Sequence, residues 1–237
     1  MEYPQKAGLS TILSDAFRYW SRTLVFQLCF TIITFAVFLA VTYYAGVKYG
    51  VLEQYFNILE RHRDDMVAFS NAYKKMVATE NFQTFYWFIL GTAVFLYPLN
   101  LGFYKIYRKL DMNEKPALND LFAGYMGTNF FRYIGFFMFW IIIYTYTLPT
   151  FILPLVWVLV TLFCAPLMFF MDKTIFESIS LTFKALKMFF LEIFVGVIVA
   201  LLFKYVGIMT LIGGLFTYPF MNAMIYSLYK RVFNEKY

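Results

Sequence analysis

Four amide or carboxylate side chains stand inside otherwise apolar stretches: Gln27, Asn100, Glu192 and Asn222. Only Glu192 ionises. A charge inside a membrane-length apolar stretch marks a functional site by default, and its cost demands a partner. Lys187, five residues earlier, is the nearest base in sequence. The two asparagines, Asn100 and Asn222, together with the Glu192 carboxylate can grip a polar headgroup or a small solute. They do not make a hydrolase, which needs a nucleophile with a base, or paired acids. The one histidine, His62, lies in the polar run Glu60-Arg61-His62-Arg63-Asp64-Asp65, a solvated turn. Cys29 and Cys164 lie in apolar runs without metal-ligand spacing. No catalytic residue, metal site or cofactor is expected.

Prolines accompany two of these polar residues. Asn100 follows Pro98 by two positions and Asn222 follows Pro219 by three; Pro166 is the third of the set. Each proline removes a helical hydrogen bond and frees the carbonyl four residues back, at Val94, Leu162 and Leu215. Three kinks at one depth read either as the wall of a cavity or as bends that let helices wrap one another. Past two of the kinks stand Arg108 and Lys109, and Lys230 and Arg231, placed to meet lipid headgroups.

The elements that hold these residues are long apolar helices. Tyr133 to Met171 is 39 residues without Asp, Glu, Lys or Arg. About 20 apolar residues cross the ~30 Å hydrocarbon core of a bilayer. The stretch therefore reads as two spans joined by the turn Leu148-Pro149-Thr150-Phe151-Ile152-Leu153-Pro154. Thr23–Val47 and Thr84–Tyr104 make spans one and two, 188–203 makes span five, and the segment from Lys204 to Tyr229 makes span six. The chain is 62% hydrophobic and only 14% charged, against a soluble norm of roughly 25%. This predicts an all-α polytopic membrane protein with six transmembrane helices, organised as a single domain over residues 1–237. With the N-terminus inside, fourteen of the 20 Lys and Arg fall on the cytoplasmic side, so both termini are placed there. The net charge of +6 then reflects cytoplasmic loops against lipid, not nucleic-acid binding.

Three shorter amphipathic segments flank the spans. Residues 1–22 carry Leu9, Ile12, Leu13, Ala16, Phe17 and Trp20 on one face, with Asp15, Arg18 and Arg22 opposite. Residues 116–126 place Leu118, Leu121, Phe122 and Tyr125 together. Residues 174–187 open with Thr174 and Glu177 at capping-box spacing and turn Ile175, Ile179, Phe183 and Leu186 inward. All three read as interfacial helices at the cytoplasmic face. Residues 48–83 read as an extramembrane helical hairpin, with one stripe of Val51, Tyr55, Ile58 and Leu59 and another of Met66, Phe69, Tyr73, Met76 and Val77.

Interfacial helix, span, outer turn, span and basic exit recur over residues 9–109, 116–173 and 174–231, as three pseudo-repeated hairpins. Tyr97-Pro98 with Asn100, Tyr104, Tyr107, Arg108 and Lys109 matches Tyr218-Pro219 with Asn222, Tyr226, Tyr229, Lys230 and Arg231, one residue being inserted.

Particular residues carry a resemblance. Tyr97-Pro98-x3-Gly102-Phe103-Tyr104, Asn119-Asp120-Leu121-Phe122-Ala123-Gly124-Tyr125, the run from Glu177 to Lys187, and Gly213-Gly214-Leu215-Phe216-Thr217-Tyr218-Pro219 are quoted for it. This chain resembles, over about residues 90–230, the membrane domain of glycerophosphoryl diester phosphodiesterases and related six-span bacterial proteins. The resemblance implies a multi-pass protein of the bacterial cytoplasmic (inner) membrane. It implies no phosphodiesterase activity, because no catalytic domain is attached. The family's Pro-Gly between spans three and four is replaced by Leu153-Pro154-Leu155.

The reading is a non-enzymatic module whose partners are membrane lipids or a membrane protein. The alternative is a small-molecule or lipid transporter with its site between the kinked helices. An intramembrane enzyme comes third, for want of reactive residues. Any ligand bound inside is expected from the cytoplasmic half, where the prolines, Asn100, Asn222 and Glu192 all lie.

Overall fold

The computed structural model describes residues 8–127, 129–150, 152–210 and 212–233. The first seven residues of the expected interfacial segment 1–22, Phe151 of the central turn and the tail 234–237 lie outside them. Regular structure among the described residues is entirely helical. The chain divides into two compact units, one formed by Met1–Ile32 with Tyr97–Tyr237, the other by Ile33–Leu96.

The smaller unit holds most of α2 (Leu24–Lys48), then α3 (Val51–Arg61), α4 (Met66–Val77) and α5 (Glu80–Leu96). Gly50 takes a positive φ of 66° to turn the chain between α2 and α3, a conformation glycine adopts without steric cost. Asp65 caps α4 by accepting from the amides of Val67 and Ala68. The α3–α4 pair forms the expected helical hairpin, but its two stripes are not buried along their length. Val51 and Met76 are buried, whereas Met66 is 80% exposed and Tyr55, Leu59 and Tyr73 are also exposed. Val51 opens α3 and Met76 nears the end of α4, so the hairpin packs at its base and opens toward its tip.

The larger unit holds α1 (Leu9–Arg22), the start of α2, α6 (Pro98–Asp111), a 3-10 helix (Leu118–Tyr125), α7 (Asn129–Thr147), α8 (Ile152–Thr161), α9 (Cys164–Met171), α10 (Ile175–Met209), α11 (Gly214–Thr217) and α12 (Phe220–Val232). The charge-free stretch is the expected hairpin, with α7 running out and α8 with α9 running back. Indole donors fasten it: Trp140 Nε1 donates to Thr161 Oγ1 at 2.8 Å and Trp157 Nε1 to the Trp140 carbonyl at 3.1 Å. Buried indole N–H groups need such partners.

Among the described residues, five helical stretches are long and apolar enough to cross a membrane, and they cover Leu24–Lys48, Glu80–Asp111, Asn129–Thr150, Ile152–Met171 and Ile175–Met209. The expected sixth is not a continuous helix; it is split into α11 and α12. Gly213-Gly214 and Pro219 fall within seven residues and interrupt the hydrogen-bond ladder twice. Span five does not end at Lys204 either. Helix α10 continues to Met209, with the Lys204 ammonium 4.4 Å from the centre of the Tyr218 ring. A cation over an aromatic face needs no helix break to be accommodated.

Two of the short segments depart from expectation. The segment 116–126 is a 3-10 helix with Leu118 and Phe122 exposed and only Leu121 of the expected apolar face buried. Three residues per turn align Leu118, Leu121 and Gly124, and the Leu121–Gly124 side lies on α6 backbone to backbone. In 174–187 the buried face is Ser178, Thr182, Ala185 and Leu186, while Phe183 is exposed. This segment bends from the rest of α10 at Phe189, whose φ and ψ are −127° and 34°.

Asp120 anchors the 3-10 helix. Its carboxylate accepts from the Ala117 amide at 2.8 Å and pairs with Lys109 at 2.8 Å and Lys105 at 3.0 Å. Burial works against its charge, but the Ala117 amide and the two ammonium groups prevail and hold its carboxyl below the usual carboxylate range. A depressed folded-state pKa stabilises the fold above the unfolded value of about 3.9 and ceases to do so as pH falls through the folded value. Wild-type melting temperature in detergent should therefore fall more steeply below about pH 4 than that of Asp120→Asn. Parallel curves for the two proteins would exclude this role.

Candidate functional site

The C-terminal segments of the second, fourth and expected sixth spans meet in an aromatic core. Tyr104, Tyr107, Phe163, Tyr226 and Tyr229 are all at most 2% exposed. The Phe170 ring lies 5.5 Å from Tyr229 and 5.8 Å from Tyr226, and Tyr104 stacks on Tyr226 at 6.5 Å. The space between the proline kinks is therefore filled by side chains. Pro98 and Pro219 sit at the α5–α6 and α11–α12 breaks, Pro166 lies just after the α8–α9 break, and all three are buried.

Asn100 and Asn222 do meet. The Asn222 amide donates to Asn100 Oδ1 at 3.0 Å, and the Asn100 amide donates to the Tyr97 carbonyl at 3.1 Å. The pair ties α6 to α12 at positions that match in the first and third sequence units. An interhelical amide bond of this type contributes about 0.6 kcal/mol in a membrane setting. Glu192 does not join it. Glu192 is half-buried and makes no hydrogen bond or ion pair among the described residues. Lys187 instead lies over the Phe183 ring at 4.7 Å. Five residues rotate a helix by about 500°, so the two side chains point well apart, and the Phe189 bend lies between them.

The cations expected to meet headgroups are engaged inside the protein. Lys109 pairs with Asp120, Lys230 with Asp111 at 2.8 Å, and Arg231 with Asp15 at 2.9 Å; Arg108 lies over the Phe170 ring at 5.3 Å. Their basic spacing was legible in the sequence, but their partners, three carboxylates and the Phe170 ring, come from other segments.

Asp111, which sequence reasoning missed, is the centre of this region. It ends α6 with a side chain only 8% exposed. Tyr19 Oη of α1 donates to both its oxygens at 2.7 and 3.0 Å, and Tyr226 Oη of α12 donates at 2.9 Å. Lys230 also donates to Tyr19 Oη at 3.2 Å. Burial and the neighbouring carboxylate push the Tyr19 phenol far above its ordinary range, so it remains a donor. Deeper in, Gln27 donates to Thr23 Oγ1 at 3.0 Å and to Tyr107 Oη at 3.3 Å. The only advance sign of Asp111 was helical spacing: it lies one turn after Tyr107, as Lys230 lies one turn after Tyr226.

α1 is held here by its Ile12, Ala16 and Tyr19 face. Ser227 Oγ donates to the Ile12 carbonyl at 2.7 Å and Trp20 Nε1 to the Phe216 carbonyl at 2.8 Å. Beside the Asp111 cluster opens a cavity of about 150 Å³ lined by Arg18, Tyr19, Arg22, Leu110, Asp111 and Asn113. Arg18 shares Asp15 with Arg231. Arg22 is exposed and has no carboxylate partner among the described residues. At about 30 Å³ per water the cavity has room for about five, the scale of a headgroup fragment and not of a whole lipid. Two guanidinium forks at its wall suit the oxygens of a phosphate.

The residues behind the family resemblance have a structural role in this chain. Gly102, Asp120 and Gly124 are where α6 and the 3-10 helix touch. No protein-family model, curated protein or solved structure matches the chain.

Proposed function

We propose that this chain is a non-enzymatic multi-pass protein of a bacterial cytoplasmic membrane that holds the phosphate of an anionic lipid at Arg18 and Arg22. In this reading it passes six times with both termini cytoplasmic, α11 and α12 forming a broken sixth pass, and it shares its fold with the phosphodiesterase membrane domains named above. The membrane setting is supported by apolar surface. Only 17% of the most apolar window of α2, and 11% of that spanning α7, is buried within the protein. Water would penalise such surfaces, and hydrocarbon does not.

The observation that carries the lipid reading is the arginine-lined cavity beside α1. An amphipathic helix carrying Trp20 and Phe17 is suited to the headgroup level, which is where a lipid phosphate sits. Asp111 does not act as a base, because two phenols and an ammonium already occupy its oxygens. Closure of the Asn100–Asn222 pair on itself favours a scaffold over a transport path.

The test is the melting temperature of purified protein in a neutral detergent, with added phosphatidylglycerol or phosphatidylcholine. Phosphatidylglycerol at about 100 times its dissociation constant stabilises by about 2.7 kcal/mol. The wild type should gain several degrees from it and little from phosphatidylcholine, and Arg22→Gln should lose most of that gain. An equal response in both proteins would sink the reading.

A further inference from the structure

We infer that the smaller unit carries a second lipid site, in which one acyl chain of an anionic phospholipid lies between α2 and α5 with its phosphate at Lys48. This deepens the lipid-holding reading and rests on it, but it uses none of the same residues. Two stripes of identical spacing border the site: Val37, Val41, Tyr44 and Lys48 on α2, of which Val37 and Val41 line it, and Thr84, Phe88, Gly91 and Phe95 on α5, all four of which line it. Each follows i, i+4, i+7, i+11, which is one stripe of a helix. Between them is a groove of about 490 Å³ lined by Val37, Val41, Trp87, Phe88, Gly91 and Phe95, with Thr84 and Thr92.

The groove selects hydrocarbon. Its two hydroxyls are satisfied by their own helix, Thr84 donating to the Glu80 carbonyl at 3.0 Å and Thr92 to the Phe88 carbonyl at 2.8 Å. Their donors are therefore already used within α5, which leaves the groove with few polar groups to hold water. Its length also fits. Thr84 to Phe95 rises about 16 Å, and so does Val37 to Lys48, half of a ~30 Å hydrocarbon core. A groove of this length and volume accommodates a single alkyl chain.

The charge stands at the end where a headgroup belongs. Lys48 Nζ lies 5.6 Å from the ring centres of both Tyr44 and Tyr49, and it has no carboxylate partner among the described residues. The Tyr49 ring is 5.6 Å from that of Phe88, which lines the groove. A phosphate at Lys48 thus has its chain directed down the slot toward mid-bilayer.

Gly91 supplies the test, because a Cβ built on it meets nothing within 4 Å. Gly91→Leu projects a side chain into the groove from a position with room for its Cβ, and it removes a helix-interior glycine. Phosphatidylglycerol binding to the detergent-solubilised protein is to be measured by native mass spectrometry, beside phosphatidylcholine. Gly91→Leu should weaken one phosphatidylglycerol site about tenfold. Lys48→Gln should reduce the preference for phosphatidylglycerol about fivefold, and as an exposed substitution it keeps the test decisive should Gly91→Leu misfold. Unchanged binding in either folded variant overturns the inference, as does loss of a dimer species in place of lipid. Arg22→Gln separates the two sites. If it weakens binding while the groove variants do not, only the groove is excluded; if none of the three does, the lipid-holding reading fails as well.

Discussion

Gly102→Ala is expected to melt about 6–12 °C below the wild type when both are followed in detergent. A Cβ at position 102 would lie 2.2 Å from the Leu121 carbonyl oxygen and 2.5 Å from its Cα. Those are main-chain atoms, and they cannot turn aside as a side chain can. The 3-10 helix must then lift from α6, loosening Asp120 from Lys105 and Lys109. Forced overpacking costs about 1–3 kcal/mol where side chains can adjust, and backbone contact places this site at the upper end. Gly124→Ala meets the Pro98 carbonyl oxygen at 2.3 Å across the same interface. The double variant should therefore lose less than the two single losses added together. Gly91→Ala is the control, since it enters open space. A Gly102→Ala protein that melts with the wild type would show that the two backbones do not touch.

Asp111→Asn should be comparably damaging, for an electrostatic reason. The carboxylate joins α1, α6 and α12 through Tyr19, Tyr226 and Lys230. Removing its charge leaves the Lys230 ammonium, with a side chain 24% exposed, facing two phenols. Breaking a buried pair from one side costs about 3–5 kcal/mol, and the partial exposure of Lys230 places this case at the lower end. A double-mutant cycle with Lys230→Met separates the pair from the remainder. Asp111→Asn with Lys230→Met should recover part of the loss, because no unpaired charge remains. If the double variant is the sum of the singles, the two residues are not coupled. Loss of Tyr19 anchoring should also free α1, read as faster proteolysis after Arg18 or Arg22.

Both arguments turn on residues that were visible but mute in the sequence. Gly102 and Asp120 stood within a recognisable pattern, yet nothing in the pattern said that one clears a path for backbone and the other collects two lysines. Lys109, Lys230 and Arg231 looked like a basic rim for headgroups. Each is bound by an acid 11, 119 or 216 residues away in the chain, and one-dimensional spacing cannot express such pairing. The Asn100–Asn222 bond was closer to legible, because the two residues occupy matching places after matching prolines. Glu192 looked most like a functional group, yet among the described residues it makes no hydrogen bond or ion pair.

The sequence alone determined what depends on length and local chemistry. A 39-residue charge-free stretch has to form two apolar helices, prolines have to break three helices, and a Thr174–Glu177 capping box has to start another. These follow from backbone hydrogen bonding and from the thickness of hydrocarbon, which act within a few turns. Only the tertiary structure decided which polar groups meet, whether the kinks enclose a cavity or an aromatic core, and which arginines remain to face outward. Those outcomes depend on contacts between segments separated by anything from about ten to more than two hundred residues. There, one side chain more or less between two backbones changes which charges lie within reach of each other.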